Sequence, residues 1–308
     1  QANGHGHPCL EHRRTGAWRV RDRRQKPGTH FEQGLESLKQ PPSTQPEILW
    51  VSRDVDSQLV CGDHLEVMRS LADASIDCIW TDPPYFLSNG GTTCQAGRRV
   101  RVDKGEWDQS GGVAADHETN RTWLAECHRV LKPTGTIWVS GTHHVYLSVG
   151  MAMLELGFRM LNDVVWEKPN PPPNLGCRCF THATEIVLWA SKARKGAHDR
   201  YTFNYADMKK LNGGRQMKNV WRLTAPGGNE KIHGKHPTQK PVALIERCLL
   251  ASTQPGDLVF DPFAGSGSTG VAALSCGRVF LGSEIDPEFA RLASQRLRAA
   301  DTDEVQIG

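Results

Sequence analysis

Long apolar runs are missing from this sequence, and none approaches the roughly 20 residues that a membrane-spanning helix needs. Its nine cysteines include no CxxC pair, so neither a zinc site nor a disulfide framework is favoured, and no metal is expected. Arg13 and Arg14 are not followed by the apolar segment of an export signal. These absences predict a protein of the reducing cytoplasm that does not contact a membrane.

An excess of positive or negative charge is also missing over most of the chain. The 308 residues include 37 Lys and Arg against 34 Asp and Glu, and the surplus falls in residues 1–48, which hold eight basic and five acidic side chains. That segment shows no apolar period, so we expect a disordered basic arm, with contact to a nucleic-acid backbone as the functional alternative. Residues 49–308 are then one folded domain, which binds a polyanion only if its charges are sorted onto faces.

Short apolar strands alternate with amphipathic helices in the folded domain, which predicts an α/β fold with a doubly wound, mostly parallel sheet. The predicted strands are 59–61, 76–81, 136–140, 161–166, 185–190, 258–260 and 279–283, and the predicted helices are 65–71, 123–131, 146–156, 242–252, one from 269, and 287–298. Residues 87–112 are polar and glycine-rich and predict a mobile loop. Residues 170–235 begin with a proline run and continue with interleaved basic and aromatic side chains.

A strand, an acid, small residues and a helix follow one another over Leu258–Gly270. In an open α/β sheet the crevice at the carboxyl end of a strand is the usual ligand position, and glycines let the backbone approach the ligand. Glu284 ends the next strand about twenty residues later, where a carboxylate can accept hydrogen bonds from both ribose hydroxyls. This pair indicates a bound nucleoside.

The segment Gly265-Ser266-Gly267-Ser268-Thr269-Gly270 also fits the GxGxxG pattern of dinucleotide sites. However, a carboxylate at Asp261 would stand close to a pyrophosphate and repel it. A cationic cofactor without phosphates, such as S-adenosylmethionine, would be attracted instead. The residues therefore favour S-adenosylmethionine over a dinucleotide.

A second constellation, Asp82-Pro83-Pro84-Tyr85, directly follows an apolar strand. The prolines fix φ, so the Asp82 carboxylate and a rigid backbone carbonyl form two acceptors aimed at one point, an arrangement that binds an amino group. Tyr85 offers a flat face on which a nucleobase can stack. An amine inside a duplex is out of reach, so the base would have to be flipped out. The structural alternative is a proline turn with a surface tyrosine.

Three motifs resemble those of the DNA amino-methyltransferases. They are the catalytic motif Asp82-Pro83-Pro84-Tyr85, the cofactor motif Asp261–Gly267, and the motif His236-Pro237-Thr238-Gln239-Lys240-Pro241. The catalytic motif precedes the cofactor motif, which is the permuted order of the β class. Over residues 57–298 the sequence resembles the small bacterial adenine methyltransferases of restriction–modification systems, including the second methylase of the DpnII type.

The resemblance implies a Rossmann-like methyltransferase fold that binds S-adenosylmethionine and releases S-adenosylhomocysteine. It implies that Asp82, Pro83, Pro84 and Tyr85 bind and stack the flipped base. The implied cofactor-binding residues are Asp63, Asp261, Pro262, Phe263, Ala264, Gly265, Ser266, Gly267, Thr269, Glu284, His236, Thr238, Gln239 and Lys240. Within this set Asp63 would approach the cofactor's adenine, Glu284 would hold the ribose, and residues 236–240 would shape the methionine pocket.

Basic residues outside these motifs are candidates for DNA contact. Residues 170–235 are interpreted as the target-recognition segment, because basic and amide side chains can read base edges. The loop 87–112 is interpreted as a segment that closes over the DNA. The DNA-binding candidates are Arg98, Arg99, Arg101, Lys104, Arg178, Arg215 and Lys218.

The sequence thus predicts methylation of adenine N6 in a short site of double-stranded DNA, by a nucleoid-associated protein. Single-stranded DNA is a further expected substrate form, and a homodimer is an expected state because many members of the resembled family dimerise. Cytosine N4 is the nearest alternative target, although an aspartate at the start of the catalytic motif resembles the adenine enzymes. The permuted order and the long basic insertion disfavour RNA or protein glutamine as substrate. An inactive DNA-binding module would be expected to have a damaged Asp82 or Gly265, and both are intact.

Overall fold

A computed structural model gives the architecture of the chain. It describes residues 46–53, 56–88, 108–192 and 201–302, together with the backbone of four short strands within residues 1–45 and 89–107. Residues 1–45 of the predicted basic arm and most of the predicted loop therefore lie outside the residues whose side chains are described, as does Lys104.

Strands and helices alternate along most of the described chain. The strands are β1 (Cys9–His12), β2 (Trp18–Arg21), β3 (Glu47–Val51), β4 (Gln58–Cys61), β5 (Ile76–Thr81), β6 (Thr92–Gln95), β7 (Arg98–Arg101), β8 (Leu131–Gly141), β9 (Arg159–Glu167), β10 (Thr184–Ser191), β11 (Val220–Arg222), β12 (Leu258–Asp261) and β13 (Val279–Glu284). The helices are α1 (His64–Ser70), α2 (Val113–Val130), α3 (Tyr146–Glu155), α4 (Tyr205–Leu211), α5 (Val242–Ser252), α6 (Ser268–Ser275) and α7 (Pro287–Thr302).

Nine strands form the main sheet, in the order β11-β9-β10-β8-β5-β12-β13-β4-β3. Five neighbouring pairs are parallel and three are antiparallel, which confirms the mostly parallel sheet that the sequence predicts. Strands β4, β5, β12 and β13 all run in the same direction, so their carboxyl ends meet at one edge of the sheet. That edge brings together Asp63, Asp82, Pro262 and Glu284, which are far apart in the sequence.

Helices cover both faces of this sheet. On one face α1, α2 and α3 contribute buried side chains such as Met68, Trp123 and Met153, and on the other face α5, α6 and α7 contribute Leu249, Ala272 and Leu297. Burial of a large apolar side chain contributes about 1.5–3 kcal/mol. Because both faces are covered, the central strands are mostly apolar, and this is the layer arrangement expected of a doubly wound fold.

Most predicted elements are found, and α5 has the predicted bounds. Helix α2 begins at Val113, ten residues before the predicted start at Trp123. The sequence does not indicate these first turns, because they are mostly exposed and show no apolar period. Strand β8 begins at Leu131, before the predicted turn. Helix α4 and strand β11 also lie in the segment 170–235, where the sequence predicts only the strand 185–190.

The segments that the sequence predicts as an arm and a loop each contain a short antiparallel pair, β1 with β2 and β6 with β7. The main sheet begins at Glu47, close to the predicted start of the folded domain. The disorder of the arm and the mobility of the loop remain predictions. None of the helices in the described ranges is long and apolar enough to cross a membrane.

Candidate active site

A cleft, hereafter the main cleft, opens where β4, β5, β12 and β13 end, and its space including the open mouth is about 950 Å³. The predicted site residues that line it are Asp63, Asp82, Pro83, Pro84, Tyr85, His236, Thr238, Pro262, Phe263, Gly265 and Glu284. A smaller adjoining cavity, the inner pocket, is lined in addition by the predicted residues Gln239, Lys240, Asp261, Ala264, Ser266 and Thr269. The fold therefore gathers the catalytic and cofactor candidates at one place.

Asp261 organises the turn between β12 and α6. Its carboxylate accepts hydrogen bonds from the Thr81 hydroxyl at 2.8 Å, the Thr269 hydroxyl at 2.5 Å and the Phe263 amide at 3.0 Å. Burial raises the pKa of Asp261 to about 6, although these hydrogen bonds lower it. Both carboxylate oxygens are thus bound by donors of the chain itself, and the carboxylate fixes the turn that borders the inner pocket.

Gly267 makes the close approach of helix α7 to this turn possible. Its φ of +75° is in the left-handed region that favours glycine, and a Cβ at this position would lie 3.0 Å from the Cβ of Ala293. From the same helix, the Arg296 guanidinium donates to the Ser266 carbonyl at 2.6 Å and to the Ser266 hydroxyl at 2.9 Å. Gly267 therefore shapes the turn and lines neither cavity.

Glu284, at the end of β13, presents a carboxylate to the main cleft. One of its oxygens accepts from the Gly265 amide and the other from the Asp286 amide, each at 2.8 Å. Burial raises the pKa of Glu284 to about 7, while the two amide hydrogen bonds lower it. The carboxylate is oriented by the backbone, and its charge changes near neutral pH.

Asp63 caps the amino end of α1. One carboxylate oxygen accepts from the amides of Leu65 at 2.9 Å and Glu66 at 3.1 Å, and the other lies 3.7 Å from Nδ1 of His64. The His64 ring is in turn 4.4 Å from the Phe263 ring. The cap places a carboxylate and an aromatic pair at the end of the cleft where the sequence predicts the cofactor's adenine.

The cleft is also lined by residues that are not among the predicted site residues. They are Gly62, His64, Phe86, Thr119, Trp123, Ile285 and Phe289. Ile285 and Phe289 closely follow Glu284, so their nearness along the chain was an available signal. Trp123 packs edge-on against Phe263 at 5.4 Å, but it comes from α2 and only the fold brings it there.

The charge of the main cleft suits a cation. Its lining includes the carboxylates of Asp63, Asp82 and Glu284, and no Lys or Arg is found among the described residues that line it. Such a lining repels phosphates and attracts a sulfonium or ammonium group. The site therefore fits S-adenosylmethionine better than a dinucleotide. Elsewhere, no group of three or more His, Cys, Asp or Glu within the described ranges is arranged to hold a metal ion.

Asp82 lies between the main cleft and the inner pocket and lines both. Its Oδ1 accepts a hydrogen bond from the Tyr85 hydroxyl at 2.7 Å, and its Oδ2 accepts one from the Lys240 ammonium. The Tyr85 ring borders the cleft, although only 6% of the residue is exposed. Burial raises the pKa of Asp82, Lys240 lowers it, and nearby Glu185 raises it further, so the net change is upward.

The backbone that follows Asp82 is held by Asp108, which the sequence does not identify. The fully buried Asp108 carboxylate accepts from the Tyr85 amide at 3.0 Å, the Leu87 amide at 3.2 Å and the Ser88 hydroxyl at 2.9 Å. Between them, Phe86 has a φ of +57°, which is uncommon for a residue with a side chain. Asp108 thus fixes the turn that carries Tyr85.

The motif at 236–240 contributes to both cavities. The amide of Thr238 donates to Nδ1 of His236 at 3.3 Å, and the Gln239 side-chain amide donates to the Glu230 carbonyl at 2.8 Å. The His236 ring packs edge-on against Phe289 at 4.2 Å. The sequence predicts that Lys240 shapes the methionine pocket. Lys240 does line the inner pocket, and its ammonium is directed to Asp82.

The DNA-binding candidates do not lie together. Strand β9 runs parallel to β5, so the connection 168–183 begins at the edge where Asp82 lies, and Arg178 is exposed in that connection. Arg215 and Lys218 instead line a separate groove with Arg247. Residues 212–219 enter β11 at its amino end, which points away from the Asp82 edge. Arg98, Arg99 and Arg101 lie in β7, whose side chains are outside the described residues.

Comparison with known proteins identifies the family. A family model described as DNA methylase, of the N6/N4 type, matches residues 76–295. The chain is 49% identical over 241 residues to the Type II methyltransferase M2.DpnII of Streptococcus pneumoniae, covering 78% of this chain and 89% of the relative. It is 47% identical over 245 residues to the Type II methyltransferase M2.MboI of Moraxella bovis, covering 80% of this chain and 89% of that relative.

Solved structures show the same fold. The crystal structure of the M1.HpyAVI–SAM complex is 27% identical with a TM-score of 0.58, covering 78% of this chain and 98% of that one. The PvuII DNA methyltransferase, described as cytosine-N4-specific, has a TM-score of 0.61 at 23% identity, covering 82% of this chain and 88% of that one, and is similar in fold alone. The family model spans most of this chain, and the chain therefore belongs to the N6/N4 DNA methylase family and is an S-adenosylmethionine-dependent DNA methyltransferase.

Proposed function

We propose that this protein methylates the N6 amino group of adenine in a short DNA sequence, after the base has been flipped out of the duplex. The observation that carries the proposal is the position of Asp82, a buried carboxylate at the end of β5 that borders both the main cleft and the inner pocket. Glu284 and the turn after β12 lie at the same edge, where the cofactor would be held. S-adenosylmethionine, when bound, supplies an activated methyl group, so no strong base is needed.

The contribution of the chain is orientation and charge. Asp82 and a backbone carbonyl held by Pro83 and Pro84 accept the two hydrogen atoms of the amino group, which directs its lone pair toward the cofactor side of the cleft. The negative charge of Asp82 stabilises the positive charge that develops on the nitrogen during transfer.

Binding the amine adds a donor to the Asp82 carboxylate, which can accept about four hydrogen bonds in all. Its two oxygens are bound by the Tyr85 hydroxyl and by the Lys240 ammonium. We infer that Tyr85 is the neighbour of Asp82 that adjusts when the base enters, because its ring borders the open cleft and offers the stacking face for the base. Lys240 is 5% exposed and stays in place.

Adenine is favoured over cytosine by the aspartate that opens the catalytic motif, which resembles the adenine enzymes of the β class. The relatives M2.DpnII and M2.MboI are named Type II methyltransferases, which supports a role in a restriction–modification system. Cytosine N4 remains the second candidate, since it is also an exocyclic amine and would use the same two acceptors.

We further infer that double-stranded DNA is the main substrate and that single-stranded DNA is also accepted, because the flipped base leaves the duplex before it reacts. The segment 170–235 would recognise the target and the loop 87–112 would close over it. The position of Arg178 supports the first of these roles. DNA as substrate would place the protein at the nucleoid in the cytoplasm.

A homodimer is the assembly we propose. Helix α3 carries a row of exposed apolar side chains at Leu147, Met151 and Leu154, which are 65%, 55% and 58% exposed. Positions spaced by three and four residues lie on one helix face, so this row is suited to contact a second copy. Sedimentation at micromolar concentration tests the dimer, and a monomer at all concentrations would contradict it.

The function is tested by incubating the protein with tritiated S-adenosylmethionine and bacterial DNA, then separating the nucleosides of the digest. We expect label in N6-methyladenine. Label in N4-methylcytosine would agree with the same mechanism but would show that cytosine, not adenine, is the target base. Labelled RNA or protein, with no label in DNA, would contradict the proposal.

A further inference from the structure

Four charged side chains meet at the base of the main cleft, and the catalytic carboxylate of Asp82 is one of them. Lys240 contacts Asp82 through a hydrogen bond, and its ammonium lies 3.5 Å from Oε2 of Glu185. The other oxygen of Glu185 accepts a hydrogen bond from Lys168. The Tyr85 hydroxyl bridges the two acids, at 2.7 Å from Asp82 and 3.4 Å from Glu185. We call these five residues the charge cluster.

The charge cluster is enclosed and electrically balanced. Lys240 is 5% exposed and Glu185 is 8% exposed. Removing charges from water costs several kcal/mol per ion, so they are tolerated in a protein only when they are paired and hydrogen-bonded. Two lysines face two carboxylates here, and each acid contacts at least one lysine. Glu185 contacts both lysines, so it is the member that connects Lys168 to the rest.

Four separate elements supply these residues, and each has a defined position. Asp82 and Tyr85 follow β5, Glu185 lies in β10, Lys168 follows β9, and Lys240 lies two residues before α5. Lys240 also donates to the Thr238 carbonyl at 3.2 Å, and its ammonium lies 5.4 Å from the centre of the Tyr85 ring. The ammonium therefore has few other positions open to it while Glu185 is present.

We propose that Glu185 is a positioning residue for methyl transfer, which holds the Lys240 ammonium between two carboxylates and thereby sets the orientation and charge of Asp82. The proposal rests on the proposed function and assigns a role that the sequence motifs do not. Without Glu185, Lys240 would be free to neutralise Asp82 fully. When Glu185 is present, the Lys240 ammonium is shared between the two carboxylates. Asp82 then keeps part of its negative charge, which faces the reacting nitrogen.

The pKa directions in the charge cluster agree with this role. Burial raises the pKa of Glu185, but Lys240 and Lys168 outweigh it, so the net change is downward and Glu185 stays ionised. Burial lowers the pKa of Lys240, but Asp82 and Glu185 outweigh it, so the lysine stays protonated. Burial, followed by the two carboxylates, raises the pKa of Tyr85, which keeps its hydroxyl a donor. Burial raises the pKa of Asp82, so within the charge cluster Asp82 is the acid whose protonation is favoured.

The proposal predicts opposite shifts in the pH profile of two variants. Charged and titratable groups that face Asp82 are Lys240, Glu185, Tyr85 and, from β12, Asp261. In Glu185→Gln the nearby negative charge is lost, the pKa of Asp82 falls, and the acid limb of the single-turnover transfer rate moves to lower pH. In Lys240→Met the positive charge is lost, the pKa of Asp82 rises, and the limb moves to higher pH. Each shift is expected to be about one pH unit.

The experiment measures the rate of single-turnover methyl transfer to DNA for each variant from about pH 5 to pH 9. The dissociation constant of S-adenosylmethionine is measured in parallel. Glu185→Gln is expected to lower the plateau rate about tenfold or more, because Lys240 now neutralises Asp82, while cofactor affinity stays within about threefold. Glu126→Gln is the matched control. Glu126 pairs with Arg129 on α2 at 2.8 Å, away from the cleft, and its variant should leave the limb unchanged.

Lys168→Met provides a second variant if Glu185→Gln does not fold. Loss of this more distant positive charge should move the acid limb to higher pH, by less than in Lys240→Met. Coincident profiles for the wild type and the folded variants, or shifts of Glu185→Gln and Lys240→Met in the same direction, would overturn the positioning role. Absence of methyl transfer to DNA by the wild-type protein would instead overturn the proposed function, so the two failures are distinguishable.

Discussion

At the scale of single residues, Glu284 combines a defined orientation with a charge that changes near neutral pH. The amides of Gly265 and Asp286 hold it, and burial raises its pKa to about 7. A raised carboxyl pKa means that its contribution to folding stability is fully present below the ordinary value of 4.5 and is lost as the pH rises through about 7. An ionised Glu284 is, however, the stronger acceptor for ribose hydroxyls.

We therefore expect the affinity for S-adenosylmethionine to rise about tenfold between pH 6 and pH 8, as Glu284 loses its proton. Titration calorimetry at several pH values measures this directly. In Glu284→Gln the side chain cannot ionise, so binding should be weaker at pH 8 and nearly independent of pH. A pH dependence of equal size in the variant would show that another group is responsible.

At the scale of elements, the turn after β5 depends on Asp108. This carboxylate accepts hydrogen bonds from the Tyr85 amide, the Leu87 amide and the Ser88 hydroxyl. Asp108→Asn preserves the volume but turns one acceptor into a donor that faces another donor. We expect a loss of about 1–3 kcal/mol in the free energy of unfolding. We also expect slower methyl transfer in the fraction that remains folded.

The matched control for this prediction is Asp116→Asn. Asp116 accepts from the Ser110 hydroxyl at 2.5 Å and the Gly111 amide at 3.0 Å at the start of α2, and it does not contact the catalytic motif. Its variant should lose stability without a change in the transfer rate. Equal rates for both variants would show that Asp108 supports only folding.

Helix α6 requires a glycine at 270 for a packing reason. A Cβ there would lie 2.4 Å from Cδ2 of Leu297 and 2.7 Å from Cε1 of Phe280. Gly270→Ala should therefore lower the free energy of unfolding by about 1–3 kcal/mol, measured by denaturant titration. Gly150→Ala on α3 is the control, because its Cβ would be 3.4 Å from Leu188 and alanine favours a helix by about 0.5–1 kcal/mol. Equal stability of the two variants would contradict the packing argument.

Local patterns were sufficient to predict where the central strands end, and hence that Asp82, Asp261 and Glu284 lie at one edge. They were not sufficient for contacts between distant segments. Tyr85 and Glu185 are 100 residues apart in sequence, and Asp82 and Lys240 are 158 apart. Lys168 carries no motif of its own, so only the pairing of β9 with β10 indicates that it meets Glu185.

At the scale of the whole molecule, the direction of the strands separates two groups of basic residues. Arg178 lies in a connection that begins at the Asp82 edge, whereas Arg215 lines the groove beside β11. Arg178→Glu should weaken DNA binding and reduce the slope of log K against log salt by about 1, as expected for one lost phosphate contact. Arg215→Glu should change both quantities less. Fluorescence anisotropy at several salt concentrations compares them, and a larger effect of Arg215→Glu would place the DNA on the other side of the protein.

The central claim is that methyl transfer takes place at Asp82 while the cofactor is held by other residues of the same cleft. The most direct test is a parallel measurement of cofactor binding and single-turnover methyl transfer by Asp82→Ala. We predict that transfer to DNA is abolished and that the dissociation constant of S-adenosylmethionine stays within about threefold of the wild-type value, since positioning and charge at the amine are lost but the cofactor contacts remain. Retained transfer by this variant would contradict the account.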